Sequence, residues 1–151
     1  MIKIICVGKL KEKYFLDALK EYQKRISKYI KLEIIEIIDE NDNDISKALI
    51  KEKDKILSRI KDKDNIILLD IKGDNLSSEE FSTFINNELT YKSNIVFIIG
   101  SSNGVHEDIK KISNKKISVS NMTFPHQLFR IMLLEQIYRS FKIINNEAYH
   151  K

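Results

Sequence analysis

Five short runs of nearly unbroken apolar residues recur along the chain, at positions 2–7, 32–38, 66–71, 95–99 and 117–119. Runs of this length, rich in isoleucine and valine, predict strands. The runs at 66–71 and 95–99 show no alternation, which fits strands of a parallel sheet covered on both faces. Between the runs the apolar residues change to helical spacing. Phe15, Ala18, Leu19 and Tyr22 mark a first helix, and Ile45, Ala48, Leu49, Glu52, Ile56 and Ile60 a second that Asp42 or Asp44 can cap. Ser77-Ser-Glu-Glu80 fits a capping box opening a third helix with Phe81, Phe84 and Ile85. Pro125 suits the first turn of a last helix through residues 128–144. The pattern predicts β/α alternation in one α/β domain spanning 1–151, with a parallel sheet.

Composition narrows this picture. A chain of 151 residues with 42% hydrophobic content can bury roughly two-thirds of its unfolded surface in one core. No apolar run approaches the roughly 20 residues of a membrane-spanning helix, so no membrane partner is expected. The first eight residues are strand-like and too short for a signal peptide, so a cytoplasmic location is expected. Cys6 lies inside the first strand, where a buried small hydrophobe is the expected role. Net charge is +4, yet residues 1–31 hold nine Lys/Arg against three Asp/Glu, a net of +6. That asymmetry suits a polyanionic partner, although abundant lysine throughout gives a solvated surface as the plain alternative. The charged stretch at 51–64 alternates sign at helical spacing and reads as a solvated helix face.

Ligands of parallel α/β sheets bind beyond the carboxyl ends of the strands. Gly8, Gly73 and Gly100 all follow strand runs. Gly100-Ser-Ser-Asn-Gly104 is neither GxGxxG nor a nucleophile elbow, and no Walker sequence occurs, which argues against dinucleotide, P-loop and serine-hydrolase chemistry. His106, His126 and His150 lack metal-ligand spacing, and no metal is expected.

Several motifs together carry a resemblance: Leu68-Leu-Asp-Ile-Lys-Gly73, Phe97-Ile-Ile-Gly100 with Gly104, Ser118-Val-Ser-Asn-Met-Thr-Phe-Pro-His126, Glu135-Gln-Ile-Tyr-Arg139 and Tyr149-His150. The chain resembles the SPOUT-class ribosomal-RNA methyltransferases that modify N3 of a pseudouridine in helix 69 of 23S rRNA. The resemblance implies a C-terminal trefoil knot, S-adenosyl-L-methionine as methyl donor, a homodimer, and 23S rRNA in the large subunit or assembled ribosome as partner. It places the cofactor against Leu69, Gly100, Val119, Ser120, Asn121, Met122, Thr123 and Phe124. Within that frame, catalytic roles are expected of His126, Arg139 and His150, and RNA contacts of Arg139, Tyr149, His150 and Lys151. Members of the family commonly carry Gly-Gly-Pro-Glu-Gly where this chain has Gly100-Ser-Ser-Asn-Gly104, and arginine where it ends on Lys151.

Residue chemistry is compatible with these roles. Leu69, Val119, Met122 and Phe124 can wall an amphiphilic cofactor, with backbone groups near Gly100 and Ser120 meeting its polar edge. Methylating an imide nitrogen requires loss of a proton, for which His126 and His150 are candidates. Arg139 offers a fork of donors for phosphate or base oxygen, and Tyr149 a stacking face. Plainer alternatives stand beside these: His126 fixing a helix start, Arg139 paired with Glu135 four residues earlier, Tyr138 in the core or a dimer surface, and His106 in a loop. A non-enzymatic RNA-binding or ribosome-assembly factor is the alternative function.

Overall fold

Residues Ile2, Ile4 and Cys6 point to one side of the first strand, and Ile5 and Val7 to the other. Both sets are buried, so the strand needs cover on both faces. The computed structural model, which describes residues 1–92 and 94–149, supplies it. The elements in order are β1 (Ile2–Val7), α1 (Lys13–Ile26), β2 (Leu32–Ile37), α2 (Ile45–Leu57), β3 (Asn65–Asn75), α3 (Ser78–Tyr91), β4 (Ile95–Ile99), α4 (Glu107–Ile112), β5 (Lys115–Ser118) and α5 (His126–Ile144). One five-stranded sheet runs in the order β2-β1-β4-β3-β5, with every pairing parallel.

On one face, Phe97 of β4 meets Phe81 and Ile85 of α3, Ile26 of α1, and the stripe Leu133, Leu134, Ile137 and Phe141 of α5. Each fully buried side chain of this size contributes about 1.5–3 kcal/mol. On the other face, Val96 and Ile98 pack with Ile56 of α2 and Ile109 of α4. Cys6 is fully buried in the first layer, and burial pushes its thiol up to about 12. It behaves as a small core residue.

Parallel pairing brings the carboxyl ends of β4, β3 and β5 side by side. Leu69 stands opposite both Ile99 and Ile117. β3 continues beyond the expected 66–71 because, after a register shift between Leu69 and Asp74, it pairs with β5 again, placing Asp74 opposite the same Ile117. Gly73 makes this second pass possible. A Cβ there would sit 2.6 Å from the Ile117 backbone nitrogen, a separation that no side chain permits. β5 itself starts at Lys115 and ends at Ser118, earlier than the expected 117–119.

Helix ends follow local chemistry. Asp44, rather than Asp42, caps α2 by accepting from the Ser46 and Lys47 amides, and Ser77 with Glu80 closes the capping box of α3. α4 is an element that the apolar pattern did not reveal. His106, expected in a loop, is its N-cap, with Nδ1 accepting from the Asp108 amide at 3.2 Å.

Candidate active site

Three strand exits converge on one cavity of about 300 Å³. β3 contributes Leu69 and Asp70, and Asp70 turns the chain by accepting from the Lys72 amide at 2.9 Å. β4 contributes Gly100 and a tight turn, in which the Ser101 and Gly104 backbones exchange hydrogen bonds of 3.1 and 2.9 Å. Gly104 closes that turn at φ +81°, a left-handed value that glycine adopts at little cost. A Cβ on Gly100 would press on the Gly104 carbonyl and lie 2.8 Å from Val105 Cγ1. β5 contributes Ser118, Val119 and Ser120, and the loop then folds on itself. Ser118 Oγ donates to the Ser120 carbonyl at 2.8 Å, and Ser120 Oγ accepts from the Met122 amide at 3.0 Å.

Of the eight residues expected around a cofactor, Leu69, Gly100, Val119, Ser120, Met122, Thr123 and Phe124 line this cavity. Asn121 does not. Its exposed side chain accepts from Asn75 Nδ2 at 2.9 Å, tying the loop to the end of β3. His126, the first residue of α5, also lines the cavity, as does Phe129 one turn later. The walls are apolar at Leu69, Val119, Phe124 and Phe129, with hydroxyls and backbone amides interspersed. Such a lining suits a small amphiphilic ligand, and the volume lies at the lower end of the roughly 300–1,000 Å³ typical of such sites.

Asp70, Ser101 and Lys110 line the cavity without having been singled out in the sequence. Lys110 reaches it from α4, where its Nζ pairs with Glu107 at 2.6 Å; that hydrogen bond holds the ammonium above its ordinary range, with Asp70 adding to the rise. The position of Asp70 beside Leu69 at a strand exit was the one available signal. A second cavity of about 140 Å³ adjoins the first through Leu69, Ser118 and Val119 and extends toward Phe81 and Leu133.

Arg139 and Tyr149 form a separate cluster near the other end of α5. Arg139 pairs with Glu135 (Nη2–Oε1 2.6 Å, Nε–Oε1 3.0 Å), a contact that raises the guanidinium further. Its Cζ lies 4.8 Å from the centre of the Tyr149 ring, whose hydroxyl donates to Glu135 at 3.3 Å. Tyr138 meets Tyr149 edge-on at 5.0 Å. The ion-pair alternative for Arg139 is therefore realised, with its Cζ over an aromatic ring. From position 126 to 139, at 1.5 Å per residue, α5 carries this cluster about 20 Å from the cavity's edge. His150 and Lys151 lie outside the described residues. Among the described residues, no group of three or more His, Cys, Asp and Glu could hold a metal ion, and no helix is long and apolar enough to cross a membrane.

A family model described as "Predicted SPOUT methyltransferase" matches residues 1–150. The chain belongs to the SPOUT methyltransferase family. It is 51% identical to the ribosomal RNA large subunit methyltransferase H of Caldicellulosiruptor bescii over 154 residues, covering 100% of both chains. With the protein of that name from Clostridium botulinum strain Alaska E43 it shares 54% identity over 157 residues, covering 99% of each. Seven of the eight residues expected around a cofactor thus line one cavity, and Arg139 and Tyr149 form one cluster at the far end of α5.

Proposed function

We propose that this SPOUT chain methylates N3 of a pseudouridine in helix 69 of 23S rRNA, using S-adenosyl-L-methionine, in the cytoplasm. One observation carries the reading: motif residues from three separate strand exits meet in a single small-molecule cavity, in a chain similar along its whole length to large-subunit rRNA methyltransferases.

When bound, the cofactor supplies an activated methyl group. The chain holds it through the apolar walls Leu69, Val119, Met122 and Phe124, while backbone groups at Gly100 and Ser120 meet its polar edges. Packing on several sides fixes orientation, and positioning is the larger part of catalysis for transfer to a well-placed nitrogen. His126 is assigned the imide proton, a role supported by its being the histidine that lines the cavity among the described residues. Arg139, Tyr149, His150 and Lys151 are assigned to RNA, Arg139 by charge and Tyr149 by stacking.

A homodimer reconciles the two halves of this machinery. The length of α5 sets Arg139 and Tyr149 about 20 Å from the cavity edge of their own protomer, which supports their serving the partner's. A trefoil knot accords with the doubled pairing of β3 around Ile117 and the backbone contact at Gly73. A chain this small has little surface for reading RNA sequence, which favours a substrate already folded in the large subunit or ribosome.

Calorimetric titration with S-adenosylhomocysteine tests the reading, alongside mass spectrometry of helix 69 from cells lacking the protein. Saturable binding and a missing methyl group are expected. Ribosome binding without S-adenosylhomocysteine binding would instead identify a non-enzymatic RNA-binding or assembly factor, the reading that the +6 charge of residues 1–31 favours.

A further inference from the structure

Arg130 of α5 is only 2% exposed, yet its charge is directed at the base of an exposed loop. Its Nη2 donates to the Gly8 carbonyl at 2.9 Å, and Nη1 pairs with Glu36 of β2. Glu36 Oε1 in turn accepts from the Leu10 amide at 3.1 Å. The loop joining β1 to α1 is thereby pinned at two successive points, with Leu10 buried beneath it. A third tie is the Lys11 amide donating to Gln127 Oε1 at 3.4 Å, and Gln127 follows the cavity-lining His126.

The pair sets a buried guanidinium against a carboxylate whose side chain is 32% exposed, and taking the guanidinium out of water is a costly way to secure a turn. Here Arg130 Nε also has no hydrogen-bond partner among the described residues. The pair holds the backbone at Gly8 and Leu10, beside three exposed lysines: Lys9 and Lys11 flank the inward-facing Leu10, and Lys13 opens α1. Some surface lysines are matched with carboxylates, among them Lys51 with Asp42, Lys110 with Glu107 and Lys115 with Asp74, while others, such as Lys20 and Lys47, form no ion pair among the described residues. Lys9, Lys11 and Lys13 form no such ion pair among the described residues.

We propose that the loop from Lys9 to Lys13, pinned by Arg130 and Glu36, is a pre-formed phosphate-binding edge that docks large-subunit rRNA beside the cavity. The proposal rests on the rRNA reading above and adds a docking element at the opposite end of α5 from Arg139 and Tyr149. Lysines serve here as point charges for phosphate, supplying affinity and orientation without reading sequence. A loop held at its backbone loses less freedom on binding, which is what the Arg130–Glu36 pair contributes.

Co-sedimentation with ribosomes across a series of monovalent salt concentrations at fixed magnesium tests this independently of catalysis. The variant K9Q/K11Q/K13Q is expected to bind at least tenfold more weakly, and its plot of log affinity against log salt should be shallower by about 2, given about 0.7–0.9 per neutralised phosphate. S-adenosylhomocysteine affinity and oligomeric state should not change. Arg130→Met keeps all three lysines, so it should weaken binding while leaving the salt slope near that of the unaltered protein. An unchanged slope and affinity in the triple variant would overturn the proposal, as would a change of oligomeric state that accounts for the loss. Salt-dependent ribosome binding without methyl transfer by the unaltered protein would instead count against the enzymatic reading and leave the loop's role standing.

Discussion

Glu52 of α2 accepts a hydrogen bond from the Ser101 hydroxyl at 3.2 Å, joining a buried carboxylate to the turn that forms one wall of the cavity. Its other oxygen accepts from the Glu40 amide at 3.1 Å, and the residue is 2% exposed. Ser101 stands where relatives commonly carry glycine, so in this chain a side chain helps to fix the turn. Removing the acceptor leaves the buried Ser101 hydroxyl only its longer contact to the Gly104 carbonyl at 3.4 Å and takes the side-chain partner from the half-buried Glu40 amide. Glu52→Ala is therefore expected to cost about 1–3 kcal/mol of stability and to weaken S-adenosylhomocysteine binding. Denaturant melts and calorimetry check both; unaltered cofactor affinity in a folded Glu52→Ala protein would separate the turn from the cavity.

The same carboxyl makes stability depend on pH. Burial pushes Glu52 above its ordinary 4.5 and Asp39 adds to the rise, against hydrogen bonds from the Glu40 amide and Ser101 that lower it. The folded state then holds the proton more tightly than the unfolded chain. That contribution is complete below about 4.5 and is lost as pH rises through the elevated folded value. Thermal melts of the unaltered protein and Glu52→Gln should diverge with rising pH, the glutamine variant gaining in relative stability. A constant difference between them would show that Glu52 titrates normally.

Two glycines are expected to fail in different ways. Gly73→Ala drives a Cβ into the Ile117 backbone where β3 passes β5 a second time. Overpacking of this kind costs about 1–3 kcal/mol or more, and the rigid obstacle puts the expectation at the upper end. Gly100→Val should instead distort the turn to Gly104 and lower S-adenosylhomocysteine affinity at least tenfold. Comparing melting temperature with affinity for both variants distinguishes the two. Full cofactor affinity in Gly100→Val would relocate the binding site.

Arg139→Ala is expected to reduce methyl transfer by about a hundredfold, the scale of a lost positioning contact, with little change in S-adenosylhomocysteine affinity. Arg139→Lys should recover only part of the loss, because the ammonium keeps the charge but not the guanidinium over Tyr149 or the fork held by Glu135. Single-turnover assays with ribosomes read the first effect and calorimetry the second. Equal losses in both would place Arg139 at the cofactor rather than at RNA.

Much of the fold was legible because core burial imposes periodicity. The all-apolar β4 announces a strand covered on both faces, and Leu133, Ile137 and Phe141 announce the buried stripe of α5. α4 was not legible, since six residues with only Ile109 buried complete too few turns to show a period. The far end of β3 was hidden for another reason: Lys72 to Asn75 has no apolar side chain, and its strand character comes from pairing with β5. At the site, the pairing of Arg139 with Glu135 follows from spacing alone. The distance between His126 and Arg139 became meaningful only once α5 proved continuous between them. Lys110 could not have been found, because the element that carries it into the cavity was itself unseen.

The most direct measurement supplies purified protein and methyl-labelled S-adenosyl-L-methionine to ribosomes from cells lacking this activity, then maps the label in 23S rRNA by mass spectrometry. One methyl group on N3 of a helix 69 pseudouridine is expected, abolished when Gly100 is replaced by valine. Label at another nucleotide, or none from a protein that binds S-adenosylhomocysteine, would contradict the assignment.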